Sequence, residues 1–146
     1  MTSEDALAYE QIRRTIAQYG LDVDAGRFEA LTELFTPTGV LVIDRFDEDT
    51  FELAGRSEIA SYLARSAAAR TADPMRGAYR RHHVSTTLLS LKSGTSARGE
   101  CYFLAVMSHG IDHWGRYEDT YRVHHDVWRF HRRHVHVEGR IRRGGG

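Results

Sequence analysis

Two groups of residues in the sequence carry side chains that could move protons. One group is Tyr19, Asp22 and Asp24, at the end of the first predicted helix, and the other is a strand-like run with the adjacent histidines His82 and His83. An imidazole has an intrinsic pKa of about 6.5 and can remove a carbon-bound proton near neutral pH, once a buried carboxylate fixes its tautomer. A tyrosine phenol can donate a hydrogen bond to an oxygen on which charge develops. Together these groups could perform general acid and base chemistry.

Each group also has an ordinary structural interpretation. An aspartate before a glycine at a helix end, as in Asp24–Ala25–Gly26, is frequently a turn or capping residue. Strand alternation puts His82 on one face of its strand and His83 on the other, so one of the two must point inward. With nine histidines in 146 residues, a buried histidine needs no functional explanation.

Helical periodicity predicts two helices before any strand. Apolar residues at helical spacing from Tyr9 to Tyr19 predict a first helix over about 5–19. A second helix begins near Phe28 and ends at Thr36–Pro37, because the residue before a proline disfavours the helical conformation.

The rest of the chain alternates between strand and helix signals before it becomes entirely strand-like. Residues 40–43 and 51–53 are predicted to form a short hairpin, and a third helix opens at Gly55–Ser57. Four long β-rich segments follow. They span 80–91, 97–109, 116–125 and 127–138.

This order of elements predicts an α+β fold. Strands this long must curl, and the three N-terminal helices must cover the concave face, which gives a cone-shaped antiparallel sheet with an internal cavity. We expect a single domain over 1–139 and a mobile, basic, glycine-ended tail over 140–146. The side chains expected to line the cavity are Phe51, Leu53, Tyr62, Phe103, Ala105, Met107, Trp114 and Tyr121.

Composition excludes several partners. The chain has 20 basic and 20 acidic side chains, so its net charge favours neither nucleic acid nor a membrane surface. The single cysteine, Cys101, cannot form an internal disulfide, and no signal peptide or membrane-spanning run is recognisable. These features predict a cytoplasmic protein.

A metal site is conceivable at His134-Val-His136, which puts two imidazoles on one strand face. No third ligand stands at a recognisable spacing, and Arg132 and Arg133 would oppose a cation. The sequence therefore predicts a polar outer sheet face with no metal and no other cofactor. The basic run 129–143 is likewise predicted to be solvated.

Two stretches of sequence resemble a known family. The run from Tyr19 to Leu31, YGLDVDAGRFEAL, is similar to the opening of SnoaL-like proteins of the nuclear-transport-factor-2-like superfamily, and His82 to Ser85, HHVS, resembles their histidine strand. The resemblance extends from about residue 6 to 139. It includes Phe35-Thr-Pro37, Gly55-Arg-Ser-Glu-Ile59, Tyr117-Glu-Asp-Thr-Tyr121 and Val127-Trp-Arg-Phe130.

The resemblance is nearest to the scytalone dehydratase and bile acid 7-alpha-dehydratase type, and it implies specific roles. In such enzymes an aspartate after the first helix pairs with a histidine on the third strand, and the resemblance assigns these positions to Asp24 and His83. The bile acid enzyme has a tyrosine five residues before its aspartate, which Tyr19 matches. His109 matches a second histidine of scytalone dehydratase and, with Asp22, is a second candidate polar site.

The resemblance implies a cofactor-independent lyase, isomerase or cyclase acting on a small hydrophobic ring compound. The alternative is a non-catalytic small-molecule-binding or assembly domain of the same fold. Tyr102, Leu104 and Val106 would form an apolar patch on the outer sheet face, so we also expect a homodimer through that face.

Overall fold

A computed structural model of the chain describes residues 1–74 and 77–141, and within these ranges it contains three helices and six strands. The helices are α1 (Ser3–Ala25), α2 (Phe28–Thr32) and α3 (Arg56–Ala72). The strands are β1 (Phe35–Asp44), β2 (Phe51–Ala54), β3 (Arg80–Leu91), β4 (Ser96–Met107), β5 (Gly110–His124) and β6 (Val127–Arg140).

Helix α1 is longer than its predicted span. It begins with a capping box in which the Thr2 hydroxyl accepts from the backbone N–H of Asp5 at 3.0 Å and the Asp5 carboxylate accepts from the backbone N–H of Thr2 at 3.0 Å. It continues past Tyr19 and ends at Gly26, whose φ of 75° is the left-handed conformation that glycine adopts at helix ends. The extension places Asp24 in the last turn of the helix.

The six strands form one curled, unclosed sheet in the order β2-β1-β6-β5-β4-β3. The β1–β6 pair is parallel and the other four pairs are antiparallel. Pro37 lies inside β1, where the pairing with β6 shifts between Phe35 and Val40, because proline has no N–H for a ladder hydrogen bond. The predicted α+β cone with N-terminal helices is confirmed.

Two irregularities in the ladders change which side chains face inward. In β6, Phe130 pairs with Tyr121 and Arg132 with Thr120, so His131 is an extra residue. In β3 the pairing shifts between Ser85 and Leu88, and Thr86 in between has a φ of 56°. A bulge of one residue moves all later side chains to the opposite face of the sheet.

The core lies between α1, α3 and the concave face of the sheet. Most of its side chains are aliphatic or aromatic, and burial of such side chains contributes about 1.5–3 kcal/mol each. The least exposed of them are Ile12, Leu31, Phe35, Leu41, Ile59 and Phe130. The same core also encloses an ion pair, Asp119 with Arg133, in which both side chains have no exposed surface.

The C-terminal strand extends beyond its predicted end. Arg140, assigned to the tail by the sequence pattern, belongs to β6 and donates a hydrogen bond to the carbonyl of Phe46 at 2.9 Å. Residues 142–146 of the expected tail lie outside the described residues. Across the described part of the chain, no helix combines the length and the hydrophobicity that a bilayer crossing needs.

Candidate active site

Asp24 and His82 form a closely packed pair on the concave side of the sheet. The Asp24 carboxylate accepts two hydrogen bonds from one residue: Oδ2 accepts from the backbone N–H of His82 at 2.8 Å, and Oδ1 lies 2.6 Å from its Nδ1. Each side chain is only 9% exposed. The last turn of α1 and the beginning of β3 therefore bring together groups that are 58 residues apart in sequence.

The structure corrects the identity of the histidine in this pair. His83, the histidine assigned from the resemblance, is exposed and faces away from Asp24. His82 instead pairs across the ladder with Ala105, whose side chain is fully buried. The bulge at Thr86 explains the difference. Without a bulge, strict alternation from the buried Leu89 back along β3 would put the side chain of residue 83 inside. The extra residue in the bulge reverses the alternation, so the side chain of residue 82 points inside instead.

Opposing effects set the protonation of the pair. Burial by itself would raise the pKa of Asp24. Hydrogen bonds from the ring and backbone of His82, together with the electrostatic effect of that ring, bring the pKa below the usual carboxyl value. Burial also lowers the pKa of His82, and the contact with Asp24 only partly offsets this. At neutral pH the pair is therefore a carboxylate beside a neutral imidazole, with the Nδ1 proton held by Asp24 and Nε2 left as the basic nitrogen.

Arg80, which was not among the predicted site residues, supports the pair from the same face of β3. Its guanidinium Nη2 donates to the carbonyl of Val23 at 3.1 Å, and its Nε lies 3.8 Å from Asp24 Oδ1. Burial acts to raise the pKa of Asp24, but the positive charge of Arg80 adds to the hydrogen bonds from His82 that lower this pKa. Because Arg80 precedes His82 by two residues on the same strand, strand alternation could have predicted that the two side chains share a face.

A second aspartate with two histidines lies next to this pair. Asp112 Oδ1 is 3.0 Å from His109 Nε2, and Asp112 Oδ2 is 2.8 Å from His113 Nδ1. The His113 ring centre is 6.2 Å from that of His82, nearly perpendicular to it, and Phe103 packs against both rings. His109 was a predicted site residue, whereas Asp112 and His113 were missed.

Asp22 does not join this second group. Its carboxylate is buried and accepts hydrogen bonds from Gln18 Nε2 and Arg27 Nε, each at 2.9 Å. The contact with Arg27 links the end of α1 to the start of α2. The prediction that Asp22 shares a polar site with His109 is therefore wrong, and Asp22 acts as a structural residue.

Tyr19 belongs to a buried polar cluster around Arg133. The Arg133 guanidinium carbon lies 4.3 Å from the centre of the Tyr19 ring, 3.7 Å from that of Tyr117 and 4.4 Å from that of Phe130, a cation–π enclosure. Burial raises the pKa of Tyr19. Its phenol therefore keeps its proton at all ordinary pH values.

Arg133 itself was predicted to be solvated, and this is wrong. Its Nε and Nη2 donate to the two oxygens of Asp119 at 2.9 and 3.2 Å, and Tyr121 donates to the same carboxylate at 2.7 Å. Over residues 1–74 and 77–141, Arg133 Nη1 is buried without a hydrogen-bond partner. Burial by itself would lower the pKa of Arg133, but the charge of Asp119 together with the surrounding tyrosines raises it, so the guanidinium stays charged. The His131 bulge, which the sequence pattern does not reveal, turns Arg133 inward.

The eight residues predicted to line a cavity lie in four places. Phe103, Ala105 and Met107 are buried on the β4 face that holds His82 and Arg80. Leu53, Phe51 and Tyr62 pack between β2 and α3, with the two rings 5.1 Å apart. Tyr121 is buried beside Asp119. Trp114 is 39% exposed and lies opposite Leu104 on the outer face, so its assignment to the cavity is wrong.

Two surface depressions lie away from the Asp24–His82 pair. One, of about 470 Å³, is lined by residues of the α1 start and the β3–β4 turn. The other, of about 460 Å³, lies on the outer face of the sheet and includes Glu118 and His134. Neither includes Asp24 or His82.

A curled sheet with an Asp–His pair held against its concave face defines a class of cone-shaped α+β domains with a polar interior. Residues 4–134 match the SnoaL-like domain family, and the chain belongs to that family. No curated protein sequence is significantly similar to the chain.

Solved structures of low sequence identity share the fold. One is a protein provisionally described as a scytalone dehydratase from Novosphingobium aromaticivorans, with 21% identity, a TM-score of 0.75, and 95% of this chain and 89% of that chain covered. Another is LinA, with 18% identity, a TM-score of 0.75, and 97% and 93% covered. A third is described as an NTF2-like protein with a cystatin-like fold, also from N. aromaticivorans, with 25% identity, a TM-score of 0.71, and 89% and 81% covered.

Proposed function

We propose that this protein is a cofactor-independent lyase or isomerase in which the Asp24–His82 pair removes a carbon-bound proton from a small hydrophobic ring compound. The observation that carries the proposal is the 2.6 Å contact between Asp24 Oδ1 and His82 Nδ1 in a nearly buried setting. The similarity to a structure provisionally described as a scytalone dehydratase supports the choice of reaction class.

In the proposed reaction, Asp24 holds the Nδ1 proton of His82 and Nε2 accepts the proton from carbon. The electron pair of the broken C–H bond then forms a double bond, either with loss of a neighbouring leaving group or with delocalisation into a carbonyl. The protonated imidazole is stabilised by the carboxylate beside it and can return its proton to the leaving group or to another carbon. Elimination, isomerisation and aldol-type cyclisation all begin with this step.

The second group supplies a partner for the oxygen of the substrate. His113, oriented by Asp112, lies 6.2 Å from His82 between ring centres, a spacing that leaves both imidazoles able to contact one small molecule. Tyr19 is assigned a donor role only, since burial raises its pKa and keeps its phenol protonated. Phe103 and Ala105 provide apolar walls that strengthen polar contacts by excluding water.

The alternative function is a non-catalytic small-molecule-binding or assembly domain. One observation favours it: Asp119, Arg133 and Tyr121 fill the deep interior with a polar cluster whose carboxylate is satisfied internally. Such a cluster stabilises one packed arrangement without any substrate.

Adjacent histidines on opposite faces of β3 provide a matched test. We would compare His82→Ala with His83→Ala, following the α-proton signals of a panel of cyclic ketones and β-hydroxy ketones by NMR in deuterated buffer. Proton exchange or elimination should fall at least about 100-fold in the His82 variant and stay within about twofold in the His83 variant. Equal rates in the wild type and the His82 variant, with ligand binding retained, would favour the binding function.

We further propose a homodimer through the outer sheet face and a cytoplasmic location. Tyr102 is 52% exposed and Leu88 is 77% exposed on this face, so pairing of two copies would remove apolar surface from water. The lone cysteine, Cys101, is buried and unpaired, as suits a reducing compartment.

A further inference from the structure

Three potential metal ligands meet on the outer face of the sheet, at the opposite end of the strand order from His82. One ligand atom each from Asp44, His134 and His136 lies within 4.8 Å of the other two. Within this group, His136 Nδ1 lies 3.7 Å from Asp44 Oδ2. Zinc ligands at about 2.0–2.2 Å from a tetrahedral ion are themselves about 3.3 Å apart, so small side-chain rotations would close the site.

The sheet topology explains why these residues meet. The His131 bulge turns Arg133 and Val135 inward and leaves His134 and His136 on the outer face. Strand β1 runs parallel to β6, which puts Asp44 directly opposite His136 in the ladder. The sequence offers no recognisable third ligand because Asp44 is distant in the chain and joins the histidines only through this pairing.

The two imidazoles are held in an arrangement that a shared ligand would explain. Their ring centres are 3.7 Å apart, and their planes differ by 21°. His134 Nε2 is buried and has no hydrogen-bond partner in the portion of the chain that the structure describes. An unsatisfied buried nitrogen costs free energy, and coordination to an ion would satisfy it.

Glu118 adds a feature typical of protein metal sites. Its Oε1 lies 2.6 Å from Nε2 of His136, the nitrogen on the other side of the ring from Asp44, at ion-pair distance but without hydrogen-bond geometry. Arg116 Nη1 holds the same carboxylate at 2.7 Å. Histidine ligands usually direct their second ring nitrogen at a carboxylate, which orients the ring and raises its basicity as a ligand.

Of the two arginines that argued against a cation, Arg132 lies on the same outer face as His134, whereas Arg133 does not. Arg133 points to the other side of the sheet, where Asp119 neutralises it. Arg132 is 43% exposed in its side chain and lies 3.3 Å from Glu52. Asp44 and Glu118 place two carboxylates next to the histidines.

We propose that Asp44, His134 and His136 bind a divalent first-row transition ion of the zinc type, with Glu118 orienting His136. Two imidazole nitrogens and one carboxylate oxygen suit Zn²⁺, Ni²⁺ or Cu²⁺, and the partly exposed side of the site leaves room for water as a further ligand. The bound ion would tie β1 to β6 and stabilise the folded chain by mass action.

The test uses tag-free protein treated with EDTA and titrated with ZnCl₂ by calorimetry. We expect one ion per chain, at least a tenfold loss of affinity in His134→Ala and His136→Ala, and a smaller loss in Asp44→Asn. His125→Ala is the matched control, because His125 is exposed, stacks on His124 with ring centres 4.1 Å apart and lies outside the ligand group found among the described residues. Its affinity should equal that of the wild type.

Two further measurements make the outcome independent of folding defects and of enzyme activity. Zn²⁺ should raise the melting temperature of the wild type and of His82→Ala but not that of His136→Ala, so the result does not depend on the proposed proton transfer. Circular dichroism without metal checks that each variant folds. Binding that is unchanged in His134→Ala and His136→Ala, or no binding at millimolar Zn²⁺, would overturn the proposal.

Discussion

Asp24 contacts both the backbone N–H and the ring of the same residue, His82, at 2.8 and 2.6 Å. One carboxylate therefore fixes the position of the strand and the orientation of the imidazole together. The last turn of α1 carries Asp24, and the left-handed Gly26 ends the helix two residues later. A change at Asp24 should consequently affect both the chemistry and the docking of α1 on β3.

Replacing Asp24 by Asn tests the orienting role. The amide can still accept from the backbone N–H but no longer stabilises the Nδ1 proton, so the basic nitrogen is lost for a fraction of molecules. We expect a loss of about 10²–10⁴ in kcat with little change in KM, measured on the substrate found in the ketone panel. An Asp22→Asn variant, at a buried carboxylate outside the pair, should lower stability and leave kcat close to that of the wild type.

The pH dependence of activity follows from the direction of the His82 shift. The base must be neutral, and burial lowers its pKa below the usual imidazole value of about 6.5. Activity should therefore hold through neutral pH and fall only as the pH drops through this lowered pKa. NMR titration of the His82 ring, assigned with His82→Gln, should give a midpoint that matches the acidic limb; a midpoint above 6.5 would contradict the proposal.

The pH dependence of stability should also reflect the protonation of His82. Since the unfolded chain binds a proton at His82 near pH 6.5 and the folded chain does so only at lower pH, the unfolded state holds more protons between these values. The free energy of unfolding should fall as the pH decreases across this window. In His82→Gln this part of the pH dependence, followed by urea denaturation, should disappear.

Breaking the buried ion pair should be costly. In Arg133→Ala the Asp119 carboxylate would remain buried with Tyr121 as its one side-chain donor among the described residues, so we expect destabilisation of about 3–5 kcal/mol by chemical denaturation. Arg132→Ala, next in sequence but half-exposed, should change stability by about 0.5 kcal/mol or less. Similar values for the two variants would contradict the inward position of Arg133.

Cys101 should be inert in the folded protein. Its side chain is buried, and burial raises its pKa to about 11, so little thiolate exists at neutral pH. Reaction with a chromogenic disulfide reagent at mildly alkaline pH should be slow in buffer and fast in denaturant. Fast labelling of the native chain would show that the concave face opens readily.

The proposed dimer can be tested at Tyr102. Replacing this exposed residue by Arg puts a charge into the centre of the outer apolar patch, and light scattering should show a monomer in place of a dimer. Arg98→Ala on the same strand provides a control with no apolar surface removed. A wild-type protein that is monomeric at all concentrations would contradict the proposed dimer.

The sequence by itself determined the existence of the three helices, the order of strands along the chain, the fold class and the two segments that form the candidate site. The second helix was predicted to end at Thr36–Pro37, but α2 ends at Thr32 and β1 begins at Phe35. Helical periodicity located α1 and α3, and β-rich segments located β3 to β6, because these patterns depend on neighbours close in the chain. Asp24 became a candidate site residue through the resemblance to SnoaL-like proteins, since its place near a helix end is by itself also typical of a capping residue.

The tertiary structure alone decided which side chains face inward on β3 and β6. A bulge at Thr86 selects His82 over His83, and one at His131 turns Arg133 into the core and His134 outward. Side-chain direction alternates with a period of two, so one extra residue reverses every later assignment without changing composition or hydrophobicity. The parallel pairing of β1 with β6 similarly places Asp44 beside His136, because strand pairing is set by packing of the whole sheet and not by local sequence.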